Sequence, residues 1–121
     1  MTMDTTLIER YLAAWNETDA DARAKAVAEL WTEDATYTDP LADVAGHAGI
    51  AAVIEGAQGM FPGLVFTPGE VYEAHHHIAR FTWHLGPAGG EPVAVGFDAV
   101  ELAEDGRIRK VLGFLDKVPT A

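Results

Sequence analysis

Three side chains in this 121-residue chain combine a proton-exchanging group with apolar neighbours: Asp39, Asp98 and Tyr11. Asp39 closes the stretch "DATYTDP", residues 34–40, whose Tyr and Thr content suits a short strand and whose Pro40 ends it. Alternation places Ala35, Tyr37 and Asp39 on one face, with Thr36 and Thr38 on the other. An acid on that less polar face is either a turn-forming residue that has reached solvent or a charge kept in an apolar cavity, where its proton affinity shifts.

Asp98 interrupts "PVAVGFDAVEL", residues 92–102, which is apolar on both alternating faces and therefore reads as a central strand covered on two sides. Its own face carries Ala94, Gly96, Val100 and Leu102, a hollow of mostly small residues around one carboxyl group. An unpaired buried carboxylate is costly, so Asp98 is expected either to pair with a cation such as Arg80 or Arg109, or to stay protonated. Tyr11 lies four residues from both Leu7 and Trp15 and shares their helical stripe. A tyrosine there is a core residue whose hydroxyl seeks a partner.

The elements that must position these groups follow from periodicity. Leu7, Ile8, Tyr11, Leu12, Ala14 and Trp15 predict a helix from Asp4 to about Thr18, capped by Asp4 or Thr5. After the polar break "NETDAD", Ala22 to Trp31 predicts a second helix, and Ala35 to Asp39 a strand. "PLADVAGHAG" reads as a loop and Ile50 to Met60 as a third helix that ends near Gly59 and the "FPG" of residues 61–63. Strands are then expected at Val65–His75, Ile78–Leu85, Val93–Leu102 and Ile108–Leu115, joined by turn chemistry in "GPAGGEP" and "AEDGR". Helices first and a meander afterwards describe one α+β domain, residues 1–121: a cone-shaped curved antiparallel sheet packed against about three N-terminal helices, a cystatin-like α+β barrel. The mouth of such a cone is the expected pocket, and the outer face of the sheet the expected surface for a homodimer.

Composition narrows the partners. An apolar share of 49% describes a packed globule, and 121 residues suit a single core. A net charge of −11 disfavours nucleic acid and anionic membrane, since both select clustered Lys and Arg. The start "MTMDTTLIERYL" lacks a basic region followed by an apolar one, and no apolar run nears the roughly 18 residues of a membrane span, so a cytoplasmic location is expected. Zero cysteines exclude disulfides and thiolate chemistry within this sequence.

"RYLAAWN" at residues 10–16, "DATYTDP" at 34–40, "AVGFDAVEL" at 94–102 and "GRIRKV" at 106–111 together resemble the SnoaL-like and ketosteroid isomerase-like branch of the nuclear transport factor 2-like superfamily. The resemblance runs over almost the whole chain. It implies the cone fold and three matched positions: Tyr11 for a first-helix tyrosine, Asp39 for a general base before a proline, and Asp98 for a strand aspartate that donates to the substrate oxyanion. Shifting a double bond next to a ketone needs a carboxylate to remove an α-proton and donors to hold the dienolate oxygen. The resemblance to the ketosteroid isomerases also implies a carboxylic acid kept neutral by its apolar site. The polyketide-cyclase members use an aspartate of the central-strand region as acid/base, which Asp98 also satisfies, so the base is Asp39 or Asp98. The second helix reads about one turn longer than in the isomerases, and Ala99 and Val100 replace a bulkier pair after Asp98.

The resemblance thus implies a small cofactor-free isomerase or cyclase acting on a hydrophobic carbonyl compound, steroid- or polyketide-like. Trp15, Tyr37, His47, Phe61, Trp83, His84 and Phe114 are the candidate substrate contacts. A noncatalytic binding or dimerisation module is the alternative, as is an epoxide-hydrolase-like site in which Arg80 joins two aspartates to activate water. The "HHH" of residues 75–77 puts His75 and His77 on one face, with Glu73 or His84 as a further Zn²⁺ ligand, but reads more simply as a solvated hairpin end; no metal is expected.

Overall fold

The computed structural model describes residues 5–117. Helix α1 covers Thr6–Asn16, α2 Ala20–Leu30 and α3 Gly46–Met60; the strands are β1 Trp31–Thr38, β2 Asp43–Ala45, β3 Val65–His75, β4 Ile78–Gly86, β5 Ala94–Leu102 and β6 Ile108–Lys117. The sheet order is β2-β1-β6-β5-β4-β3. All neighbours run antiparallel except β1 and β6, which pair in parallel, Tyr37 beside Val111 and Thr38 beside Leu112. The α+β architecture with three helices is as expected. The parallel pair is not, because nothing in a strand's own sequence names its neighbour; α3 follows β1 as read, with the short β2 between them.

Helix α1 buries Ile8, Tyr11, Leu12, Ala14 and Trp15, the predicted stripe. Thr5 stands at its N-cap without a capping bond, its hydroxyl donating instead to Glu9 at 3.1 Å. Asp4, the other candidate cap, lies outside the described residues. The end of α1 is fixed from three sides. Asn16 donates to the Phe66 carbonyl (2.9 Å) and accepts from the Phe66 N–H (2.7 Å), bolting α1 to β3. Gln58 of α3 donates to the Trp15 and Glu17 carbonyls, and the buried Arg23 of α2 donates to Glu17, Thr18 and Gln58. These bonds satisfy carbonyls that a helix end leaves open, and they hold Trp15 in place.

"PLADVAGHAG" is not all loop: Asp43–Ala45 forms the edge strand β2, with Val44 opposite Tyr37, and α3 begins at Gly46, a turn earlier than its apolar residues suggest. A three-residue edge strand is too short to show a period. Strand β5 alternates as read: Ala94, Gly96, Asp98 and Val100 face the helices, and on β4 so do Ala79, Phe81, Trp83 and Leu85. The opposite, outer face carries Phe97 beside Phe114 and Ala99 beside Leu112, with Phe114 58% and Leu112 46% exposed.

Candidate functional site

Between α1, α3 and the concave side of the sheet lies a cavity of about 280 Å³, lined almost entirely by apolar side chains. Tyr11, Asp39 and Asp98 all reach it, from α1, the end of β1 and the middle of β5. Tyr11 is wedged from behind by Trp31 and Phe81, ring centroids 5.5 and 5.1 Å away, and its hydroxyl donates to Asp98 Oδ2 at 2.7 Å. Among the described residues no cation pairs with Asp98. Arg80 pairs with Glu73 and Arg109 with Glu101, both out on the exposed face, which overturns the ion-pair expectation for Asp98 and the water-activating Asp-Arg-Asp alternative together. The physical reason is parity: residue 80 alternates with Phe81 and so points away from the core.

Burial without a countercharge pushes the Asp98 carboxyl from 3.8 up to about 6; hydrogen bonds from Tyr11 and the Trp83 indole hold it down, and the nearby Asp39 charge pushes it up. The same burial, reinforced by Asp98, keeps the Tyr11 and Tyr37 hydroxyls protonated, with pKa values raised well above that of a free phenol. The Asp98 pair is therefore a buried hydroxyl donor on an acid that changes charge near pH 6.

Asp39 combines both readings of its strand end. Its Oδ1 accepts from the Leu41 and Ala42 N–H groups, each at 2.8 Å, closing the turn after Thr38, while Oδ2 accepts from the Tyr37 hydroxyl at 2.6 Å inside the cavity. Strand β6 brings the two acids together. A Cβ built on Gly113 would come within 2.9 Å of Asp98 Oδ1 and 3.2 Å of Asp39 Cβ, so the absence of a side chain at 113 leaves the space that the Asp98 carboxyl group and the root of the Asp39 side chain approach.

Of the candidate contacts, Trp15, Tyr37, Phe61 and Trp83 line the cavity. Tyr37, Trp15, Phe66 and Trp83 form a continuous wall of rings with successive centroids 5.6, 5.4 and 5.3 Å apart. Trp83 lies flat over Gly96, where any Cβ would fall 2.0 Å from its ring. The structure does not bring His47, His84 or Phe114 to the cavity. His47 Nε2 bonds the Trp31 carbonyl at 2.9 Å, His84 faces outward to Glu70 at 3.3 Å, and Phe114 lies on the outer sheet face. Parity explains the last two, since residues 83 and 113 point inward. It also would have found Leu115; Leu41 and Met60 carried no such signal, because their places depend on how a loop and a helix end close the mouth, and Phe66 reaches the cavity from the start of β3, before that strand's register shift. His76 takes a left-handed conformation (φ 51°) at the exposed β3–β4 turn, and among the described residues no three His, Asp or Glu side chains gather as metal ligands.

Comparison with known proteins bears on this arrangement. A family model for the SnoaL-like domain matches residues 8–111. A crystal structure of a SnoaL-like family member from Agrobacterium tumefaciens, provisionally described as an isomerase, is 44% identical, covers 96% of this chain and 99% of its own, and has a TM-score of 0.88. A provisionally described polyketide cyclase from Sinorhizobium meliloti is 22% identical over 91% of this chain and 93% of its own, TM-score 0.67. A protein with a ketosteroid isomerase-like fold from Catenulispora acidiphila is 16% identical over 96% and 88%, TM-score 0.72. The last two share the fold alone. Among curated proteins none matches.

Proposed function

The chain belongs to the SnoaL-like domain family, with an α+β fold of the nuclear transport factor 2-like and ketosteroid isomerase-like type, and from that premise we propose that its cavity is the site of a cofactor-independent isomerase or cyclase. The substrate is a hydrophobic carbonyl compound, and the reaction moves a proton at the carbon next to the carbonyl. The observation that carries this reading is the Tyr11–Asp98 pair, a proton-exchanging acid with a value of about 6 facing an apolar cavity. A base works best when its affinity lies near the working pH, and apolar burial is the means of moving a carboxyl group there.

Between the two aspartates this reading makes Asp98 the acid/base. Its carboxylate takes the α-proton, the C–H electron pair enters the dienolate, and the protonated acid returns the proton at the far carbon of the shifted double bond. Tyr11 positions Asp98 through its hydrogen bond. Asp39, with both oxygens occupied by three donors, holds the single proton of the neutral Tyr37 hydroxyl, which serves the dienolate oxygen by turning that proton from Asp39 to the substrate. The cavity of about 280 Å³ lies at the small end of ligand pockets, which suits a one- or two-ring compound, and it opens at a mouth through which a longer occupant would protrude. The rim supports such protrusion: Leu41 is 70% and Met60 60% exposed.

The test is a small β,γ-unsaturated cyclic ketone followed by the rise of conjugated-enone absorbance. Wild type and Asp39→Asn are expected to turn it over and Asp98→Asn is not. Full activity of Asp98→Asn would remove it as the base, and binding without turnover by wild type would favour the noncatalytic module. The exposed Phe114 and Leu112, together with Phe97, support a homodimer through the outer face. Sedimentation checks it, with Phe114→Glu expected to give monomer and a monomeric wild type contradicting it.

A further inference from the structure

The charges around the cavity are one-sided. Asp39 and Asp98 are its titratable acids, and no Lys, Arg or His lines it among the described residues. The chain as a whole carries a net charge of −11, so the field outside the mouth has the same sign as the acids within. Asp98 is 3% exposed and takes its hydrogen bonds from neutral groups, Tyr11 and Trp83, neither of which cancels a charge. A protein that buries an acid normally supplies a cation; here the supply stops at dipoles.

The wall beside these acids is built of faces that attract positive charge. Trp15, Tyr37, Phe66 and Trp83 stand as one sequence of rings around the space that the two acids border. Aromatic faces carry negative quadrupole, and a desolvated cation over Trp or Tyr is held substantially more strongly than an isosteric neutral group. Proton removal sharpens the requirement. When Asp98 takes the α-proton its charge passes to the substrate oxygen, so the cavity keeps its full negative charge through the reaction with no side chain to offset it.

We propose that the occupant brings the missing charge itself: a compact hydrophobic compound bearing an ammonium group, held in the cavity that the ring faces and the two aspartates line together. This deepens the proposed function by naming the substrate class, a carbonyl compound with a protonated or quaternary amine, and it rests on that reading for the reaction only. Anionic substrates, carboxylates and phosphates among them, are rejected by the same electrostatics.

The quench of Trp15 and Trp83 fluorescence reports binding. Phenyltrimethylammonium, its neutral isostere tert-butylbenzene, and benzoate are titrated into wild type, Asp98→Asn and Asp39→Asn. Wild type is expected to bind the ammonium at least about tenfold more tightly than the neutral isostere and to show no binding of benzoate. Each Asp→Asn change is expected to narrow that ratio. Equal or tighter binding of tert-butylbenzene by wild type overturns the proposal, as does a ratio that neither variant changes. The wild-type series needs no variant to fold. Turnover of the neutral enone without ammonium preference would sink the charge inference and leave the function standing; ammonium preference without any enone turnover would do the reverse.

Discussion

Asp39 and Asp98 border one cavity and approach the same glycine, yet the chain surrounds them in opposite ways. Asp39 sits at a half-buried corner where two backbone N–H groups and a phenol donate to it, so its carboxylate is built into the local turn. Asp98 sits in mid-strand, 3% exposed, where the backbone is engaged in the sheet and only side chains can serve its carboxyl group. A strand end offers unpaired N–H groups and a strand middle does not. The same residue type is therefore tied into a turn at one position and buried among side chains at the other.

The widest separation between the two is expected in rate. Asp98→Asn keeps a carbonyl oxygen for Tyr11 but cannot carry a proton, and kcat on the unsaturated ketone should fall by about 10²–10⁴-fold. Asp39→Asn keeps an acceptor for the turn and should cost about tenfold or less, through the altered Tyr37 donor. Equal losses in the two variants would dissolve the contrast.

Stability against pH separates them next. Asp98 has a folded value of about 6 against 3.8, so the native state binds its proton more tightly than the unfolded chain. Its favourable contribution is complete below about pH 4 and is lost as pH rises through 6, for a total of about 3 kcal/mol at two pKa units. Urea unfolding from pH 4 to 7.5 should show wild type losing that amount relative to Asp98→Asn, whose difference from wild type cancels the other carboxyl groups. A constant difference between the two proteins would mean that Asp98 is not desolvated. The variant should then be the more stable protein at pH 7.5, the direction expected when an active-site acid is held at the expense of the fold.

At Asp39 the expected effect is the loss of hydrogen bonds. Asp39→Ala strips the acceptor from Leu41 N–H, Ala42 N–H and the Tyr37 hydroxyl, and a loss of about 2 kcal/mol is expected at neutral pH, tempered because water reaches the corner. A shift in urea midpoint below a few tenths of a molar unit would show the turn to be held by Pro40 and the β1–β2 pairing instead.

Much of this contrast was legible in the residues. Alternation through Ala35 and Tyr37 put Asp39 inward, and alternation through Ala94 and Gly96 did the same for Asp98, because a period of two is a property of one strand. The same parity, applied to Phe81 and Trp83, would have turned His84 and Arg80 outward. What could not be read was pairing between distant segments. The Tyr11–Asp98 bond spans 87 positions, Asn16 reaches Phe66 across 50, and β1 lies beside β6 from the other end of the chain. Burial could be foreseen for Asp98, but whether Arg80, Arg109 or a tyrosine would answer it depended on which face each neighbouring strand presents.

The smallest expected effect tests whether the two acids share space. Gly113 stands opposite Asp98 on β6, and an added Cβ would meet Asp98 Oδ1 at 2.9 Å, Asp39 Cβ at 3.2 Å and the Thr38 carbonyl at 3.5 Å. Asp98 cannot simply rotate away, since Oδ2 is tied to Tyr11, whereas Asp39 is met at its root and would have to move with its turn. Gly113→Ala should therefore destabilise by about 1 kcal/mol, in the range of mild overpacking. Its signature is directional: the methyl group adds apolar bulk against Asp98 and loosens the Tyr11 bond, both of which raise the Asp98 value, so the activity profile should begin at higher pH than in wild type. An unchanged pH profile together with the stability loss would mean that the strain is absorbed by the Asp39 turn, and that Gly113 separates the two acids instead of joining them.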